Sequence, residues 1–124
     1  MTPKYVAGNI INICKRIKEN SSSTKIFIQT ILPVNNEQYL NVKEVEYNFL
    51  QPNYIPTVNE QISQTNAILI SNAEFEVIEL HSLFLNNESN LDSLLSSDGI
   101  HINDSGYQVW INAIRPLIKN LNKQ

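Results

Sequence analysis

The chain has 124 residues, of which 42% are aliphatic, aromatic or Cys, and a formal net charge of −3, so it forms one domain with a real core and is not disordered. Nine Lys and Arg against twelve Asp and Glu leave no basic excess for nucleic acid, and the solitary Cys14 excludes a disulfide scaffold. The longest aliphatic run, Ala67 to Ile70, is far short of the ~20 residues that a membrane span requires.

The first element in chain order is a helix. Thr2 can cap it, Pro3 suits its first turn, and Val6, Ile10, Ile13, Cys14 and Ile17 recur on one face. Gly8, Asn9 and Asn12 interrupt any signal-peptide apolar stretch, which fits a cytoplasmic chain but leaves the native compartment unassigned. Lys25–Leu32 reads as a strand, apolar on both faces, of the kind buried between helices in a parallel sheet. Residues 34–55 read as a long loop with a short helix near 41–50. Thr57 and Glu60 form a capping-box pattern, which starts a helix to about Asn72 with Val58, Ile62 and Leu69 inward. Phe75–Leu80 is a second strand, and 82–97 reads as short turns and polar loop. A last helix runs from about Asp104 to Asn120, with Tyr107, Trp110, Ile114, Leu117 and Leu121 on one face and a kink expected at Pro116. Alternation of this kind implies an α/β layered domain with a parallel sheet. Two strands cannot cover their own faces and edges, so something further is expected to complete the sheet.

The chemistry concentrates in Ser97 to Trp110. Asp98 and His101 are three residues apart, and Gly99 permits a tight loop between them. In such a loop the carboxylate can accept from the imidazole Nδ1–H, which fixes the tautomer and leaves Nε2 free as a base. Taken separately, an Asp-Gly pair also reads as an ordinary turn and a lone His near a helix start as surface or core filler.

The surrounding pattern shifts the balance. Asp98, Gly99, His101, Asn103, Gly106, Tyr107 and Trp110 resemble the last conserved block of the SGNH (GDSL-type) hydrolases. Lys25 to Asn35, with Leu32-Pro33 at the end of its strand, is similar to that family's fourth strand, and Asn59 and Ile78–Leu80 also resemble family positions. The similarity is strongest to small esterases such as platelet-activating-factor acetylhydrolase and the sialate or carbohydrate O-acetylesterases. The resemblance implies a flavodoxin-like three-layer α/β/α sandwich, of which residues 1–124 are the C-terminal portion. It implies His101 as catalytic base, Asp98 as its orienting acid, and hydrolysis of a small acyl ester through a Ser acyl-enzyme, with no metal or cofactor. The family's Gly-Asp-Ser nucleophile motif and its Gly-x-Asn-Asp motif do not occur here. Gly8-Asn9 lies inside the first helix at the wrong spacing, and Ser105 belongs to a helix cap. The chain alone is therefore expected to be inactive.

Three explanations for the missing half compete: a split or truncated reading frame, completion by another polypeptide, or a degenerate module that self-associates through its open sheet edge as a homodimer. A rival of another class is a binding domain without chemistry. Among the remaining residues, His81 reads as surface or packing, Cys14 as a buried inert thiol, and Trp110 as core packing that anchors the loop. Tyr39, Tyr47, Phe49 and Tyr54 either line a pocket or pin the long loop down. Glu37, Glu44, Glu46, Glu74, Glu76 and Glu79 make no metal-ligand spacing with either His.

Overall fold

Helix α1 (Pro3–Asn20), strand β1 (Phe27–Gln29), helices α2 (Asn36–Val42) and α3 (Val58–Ser71), strand β2 (Glu76–Ile78) and helix α4 (Asp104–Leu121) follow in chain order. They are seen in a computed structural model that describes residues 1–42, 50–51 and 53–121. Short 3₁₀ turns at His81–Phe84 and Ser93–Leu95 interrupt the path from β2 to α4.

The helix starts follow from their capping residues. The Thr2 hydroxyl accepts from the Tyr5 amide at 3.1 Å. Thr57 and Glu60 close a reciprocal capping box, with the Thr57 amide donating to Glu60 at 2.7 Å and the Glu60 amide to Thr57 at 3.1 Å. The buried face of α1 differs from the expected stripe. Ala7 and Cys14 are buried, with Ile10 and Ile11 beside them, whereas Ile13 and Ile17 are exposed. Ala7 and Cys14 share a cluster with Leu69 of α3, so the smaller side chains face the neighbouring helix and the larger ones turn outward. On α3 the buried residues are Thr65, Asn66 and Leu69, while Val58 and Ile62 are only half-buried. A helix runs over Asn36–Val42, and the short helix expected near 41–50 lies mostly at 43–49, outside the described residues.

The two strands are parallel neighbours, with Phe27, Ile28 and Gln29 opposite Glu76, Val77 and Ile78. Both are shorter than the apolar runs that contain them, because the chain leaves the ladder soon after Gln29. The Thr30 amide still donates to the Ile78 carbonyl at 3.0 Å. Beyond it, side-chain amides from α3 replace a strand partner. Asn66 accepts from the Ile31 amide at 2.7 Å and donates to the Ile31 carbonyl at 2.9 Å. Asn59 does the same at Val34, at 2.9 Å and 2.8 Å.

Helices cover both faces of the sheet, which gives three layers. One cluster gathers Ala7, Cys14, Ile28 and Leu69 between α1, α3 and the sheet. The other gathers Leu80, Phe84, Leu91 and Ile114, with Ile78 and Trp110 packed against them. Leu69, Leu80, Phe84 and Leu91 are all but sealed from solvent, and each such burial stabilises by roughly 1.5–3 kcal/mol. Helix α4 is continuous through Pro116, which has no N–H to donate to the Asn112 carbonyl.

Candidate active site

The segment leaving β1 meets the loop ahead of α4, and every residue of the Asp-Gly-x-His pattern lies on that loop. An antiparallel bridge between Ser96 and Ile102 forms its neck. Within it, one Asp98 carboxylate oxygen accepts from the Ile100 amide at 2.9 Å and the His101 amide at 2.8 Å. The other lies 2.7 Å from His101 Nδ1. An ionised carboxylate can only accept, so Nδ1 carries the proton and Nε2 presents its lone pair.

The two side chains differ sharply in exposure, 14% for Asp98 and 77% for His101. The carboxylate is therefore held within the loop while the ring reaches into solvent. Burial by itself would raise the Asp98 pKa. The hydrogen bonds from the His101 backbone and ring and the Ile100 amide, together with the charge of a protonated His101, outweigh it and hold the carboxyl well below the usual range.

Ser96 and Gln38, absent from the sequence-based expectation, join Gly99, Asn103 and Gly106 in holding the loop in place. Ser96 is buried, and its Oγ donates to the His101 carbonyl at 2.6 Å while accepting from the Gly99 amide at 2.9 Å and the Asp98 amide at 3.3 Å. Ser-x-Asp-Gly is a pattern of side-chain-supported turns, and it is the one local signal that could have identified Ser96. Gly99 has φ of +84°, and a Cβ there would sit 2.4 Å from the Asn35 carbonyl oxygen and 2.8 Å from the Tyr39 nitrogen. Only glycine meets both demands. The Asn35 amide donates to the Gly99 carbonyl at 2.8 Å, and Gln38 Nε2 to the Ser96 carbonyl at 3.0 Å. On the other side, the Asn103 side chain caps α4 by accepting from the Gly106 amide at 3.0 Å and donates to the Leu94 carbonyl at 3.0 Å. A Cβ at Gly106 would lie 2.6 Å from the Leu95 carbonyl oxygen, so helix and loop meet there without room for a side chain.

The other singled-out residues fall as follows. Trp110 packs against the second cluster, and its Nε1 donates to the Gln29 side chain at 2.7 Å, which ties α4 to β1. The His81 ring lies 2.8 Å from the Ile31 carbonyl through Nδ1, and its backbone amide donates to Thr30, so it pins the segment after β1. Cys14 is buried, and burial pushes its thiol pKa up. Tyr39 is buried on α2, Tyr54 is exposed, and Tyr47 and Phe49 lie outside the described residues. Ser105 is exposed in the first turn of α4, with no hydrogen bond to His101. Among the described residues no three His, Cys, Asp or Glu side chains converge, and no helix is long and apolar enough to cross a membrane.

Fold and loop together define a parallel α/β module that presents an Asp-supported imidazole on the loop leading into its last helix. The chain belongs to the GDSL-like lipase/acylhydrolase family, whose model matches residues 2–114. A GDSL-like lipase from Bacteroides thetaiotaomicron superposes with a TM-score of 0.74 at 18% identity, covering 98% of this chain and 54% of that one. The esterase domain of the ORF1 protein from the zebrafish ZfL2-1 retrotransposon gives 0.62 at 15% identity, covering 97% and 61%. At these identities the likeness is one of fold. An Escherichia coli protein named N-acylneuraminate cytidylyltransferase is 26% identical over 107 residues, which are 86% of this chain and 22% of that protein. The chain thus spans about half the length of the first solved structures it matches.

Proposed function

We propose that residues 1–124 are the C-terminal portion of a GDSL-type carboxylic ester hydrolase domain, and that they carry its acid–base pair. His101 is the general base and Asp98 orients it. The nucleophilic Ser and the oxyanion donors come from outside these residues, on the same polypeptide or another. The observation that carries the reading is the 2.7 Å contact of His101 Nδ1 with a carboxylate fixed by two further amides, on a side chain that is 77% exposed.

In this reading His101 Nε2 takes the proton of the Ser hydroxyl as its oxygen attacks the ester carbonyl. Asp98 stabilises the imidazolium that forms. Collapse of the tetrahedral intermediate expels the alcohol, which leaves with the proton from Nε2. Water, deprotonated by the same nitrogen, then releases the acid and regenerates the Ser. The substrate class is a small acyl ester, and no step draws on a metal or an organic cofactor.

The test is hydrolysis of a short-chain nitrophenyl ester by the longer polypeptide that includes this sequence. His101→Ala should lower kcat by about 10³-fold or more, and the 124-residue chain alone should match its own His101→Ala control. Full activity in the longer His101→Ala protein would overturn the assignment. A second reading, a non-catalytic module that associates through its open edge, is favoured by the exposed Ile13 and Ile17 on α1. It predicts no His101-dependent turnover in either form.

A further inference from the structure

An imidazole that is 77% exposed has little packing to hold it, so the loop backbone must set its direction. We propose that Ser96 is the positioning residue of the Asp98–His101 pair, acting on the ring through that backbone without touching substrate. The inference rests on the reading of His101 as the base.

A hydroxyl offers one proton and two lone pairs. In Ser96 all of them serve the loop: the proton goes to the His101 carbonyl at 2.6 Å, and the lone pairs take the Gly99 amide at 2.9 Å and the Asp98 amide at 3.3 Å. None is used elsewhere. One atom thereby fixes the backbone of both members of the pair, the amide of Asp98 and the carbonyl of His101. The Asp98 carboxylate in turn takes its direction from the Ile100 and His101 amides. Ser96 itself is 3% exposed and held at its carbonyl by Gln38 of α2.

Without the hydroxyl, the His101 carbonyl and the Gly99 amide lose their partner inside the loop. The peptide planes on either side of Asp98 are then free to turn, and the Nδ1–H···carboxylate bond is made only part of the time. A neutral imidazole without that bond exchanges between its two tautomers, and the Nε2–H form cannot act as a base.

The experiment is NMR of the ring nitrogens in the longer protein, at a pH where the imidazole is neutral. Of the two His in these 124 residues, His81 serves as an internal reference. The wild type should show His101 in the Nδ1–H form. Ser96→Ala should shift both His101 ring nitrogens toward the average of the two tautomers and leave the His81 signals unmoved. In the ester assay kcat should fall about tenfold or more at unchanged KM, as expected for misdirection of a catalytic group. If Ser96→Ala does not fold, Ser96→Cys keeps the volume, replaces a strong acceptor with a weak one, and should give the same shift. A folded variant with wild-type His101 ring signals would overturn the inference. Failure of the catalytic reading would look different, as turnover that survives His101→Ala whatever the ring signals do.

Discussion

Asp98 does more for the loop than its bond to His101 alone would require. Its carboxylate receives at least three N–H groups, and its pKa in the folded chain lies well below the ordinary range. In the unfolded chain it titrates near the usual ~3.9. The native state therefore binds fewer protons at this site, and Asp98 contributes stability that is present above about pH 4 and is lost as the pH falls toward the lowered native value. Asp98→Asn removes the titration. The stability of that variant should change less than wild type between about pH 4 and pH 2, read from urea midpoints across that range. Parallel curves would show that the carboxylate is not held as described. Asp98 and His101 were legible in the sequence because their geometry is local: three residues and a glycine suffice to bring the groups together. Ser96, Asn35 and Gln38 were not. Serine and amide side chains form hydrogen bonds in many contexts, and the partners of Asn35 and Gln38 lie far along the chain, at Gly99 and Ser96.

At the scale of elements, the composition finds its reason. The sequence holds 18 Asn, and several of them do the work of backbone. Asn59 and Asn66 stand two turns apart on one face of α3, as helical periodicity allows, and each offers one acceptor and one donor to the extended segment after β1. Hydrophobic periodicity finds apolar faces, so on α3 it marks Val58, Ile62 and Leu69. It was blind to an amide stripe on the same helix. The same blindness lengthened β1, since Ile31 and Leu32 are apolar and extended without belonging to the ladder. Asn66→Ala should leave the Ile31 amide without a partner and its carbonyl with the His81 ring alone. The expected loss is about 1–3 kcal/mol, the cost of one orphaned buried group. Urea unfolding of the longer polypeptide proposed above would measure it, with exposed Ser63→Ala as a control expected within about 0.5 kcal/mol of wild type. A loss no greater than that of the control would mean that solvent reaches Ile31 and the amide clamp contributes nothing.

For the molecule as a whole, the parallel α/β layering was legible from the alternation of helix and strand. Among the described residues β1 pairs only with β2, so each strand keeps one edge without a ladder partner. The rotation of α1 was not legible, because it depends on which residues Leu69 meets, and its consequence is an exposed Ile13 and Ile17. On α4, Tyr107 and Ile118 are exposed as well. Open strand edges beside apolar side chains are templates for pairing, and a two-stranded sheet adds little stability of its own. Each exposed Ile forgoes roughly 1.5–3 kcal/mol that burial would contribute, a large share of the ~5–15 kcal/mol on which a domain of this size depends. The 124-residue chain produced alone should therefore associate or unfold readily. Sedimentation should show a mass that rises with concentration, or thermal scans a broad transition, and the longer polypeptide proposed above should show a single sharp one. A monodisperse monomer that melts cooperatively above about 50 °C, within the range of ordinary self-sufficient domains, would show that α1, α3 and α4 close the core without further strands.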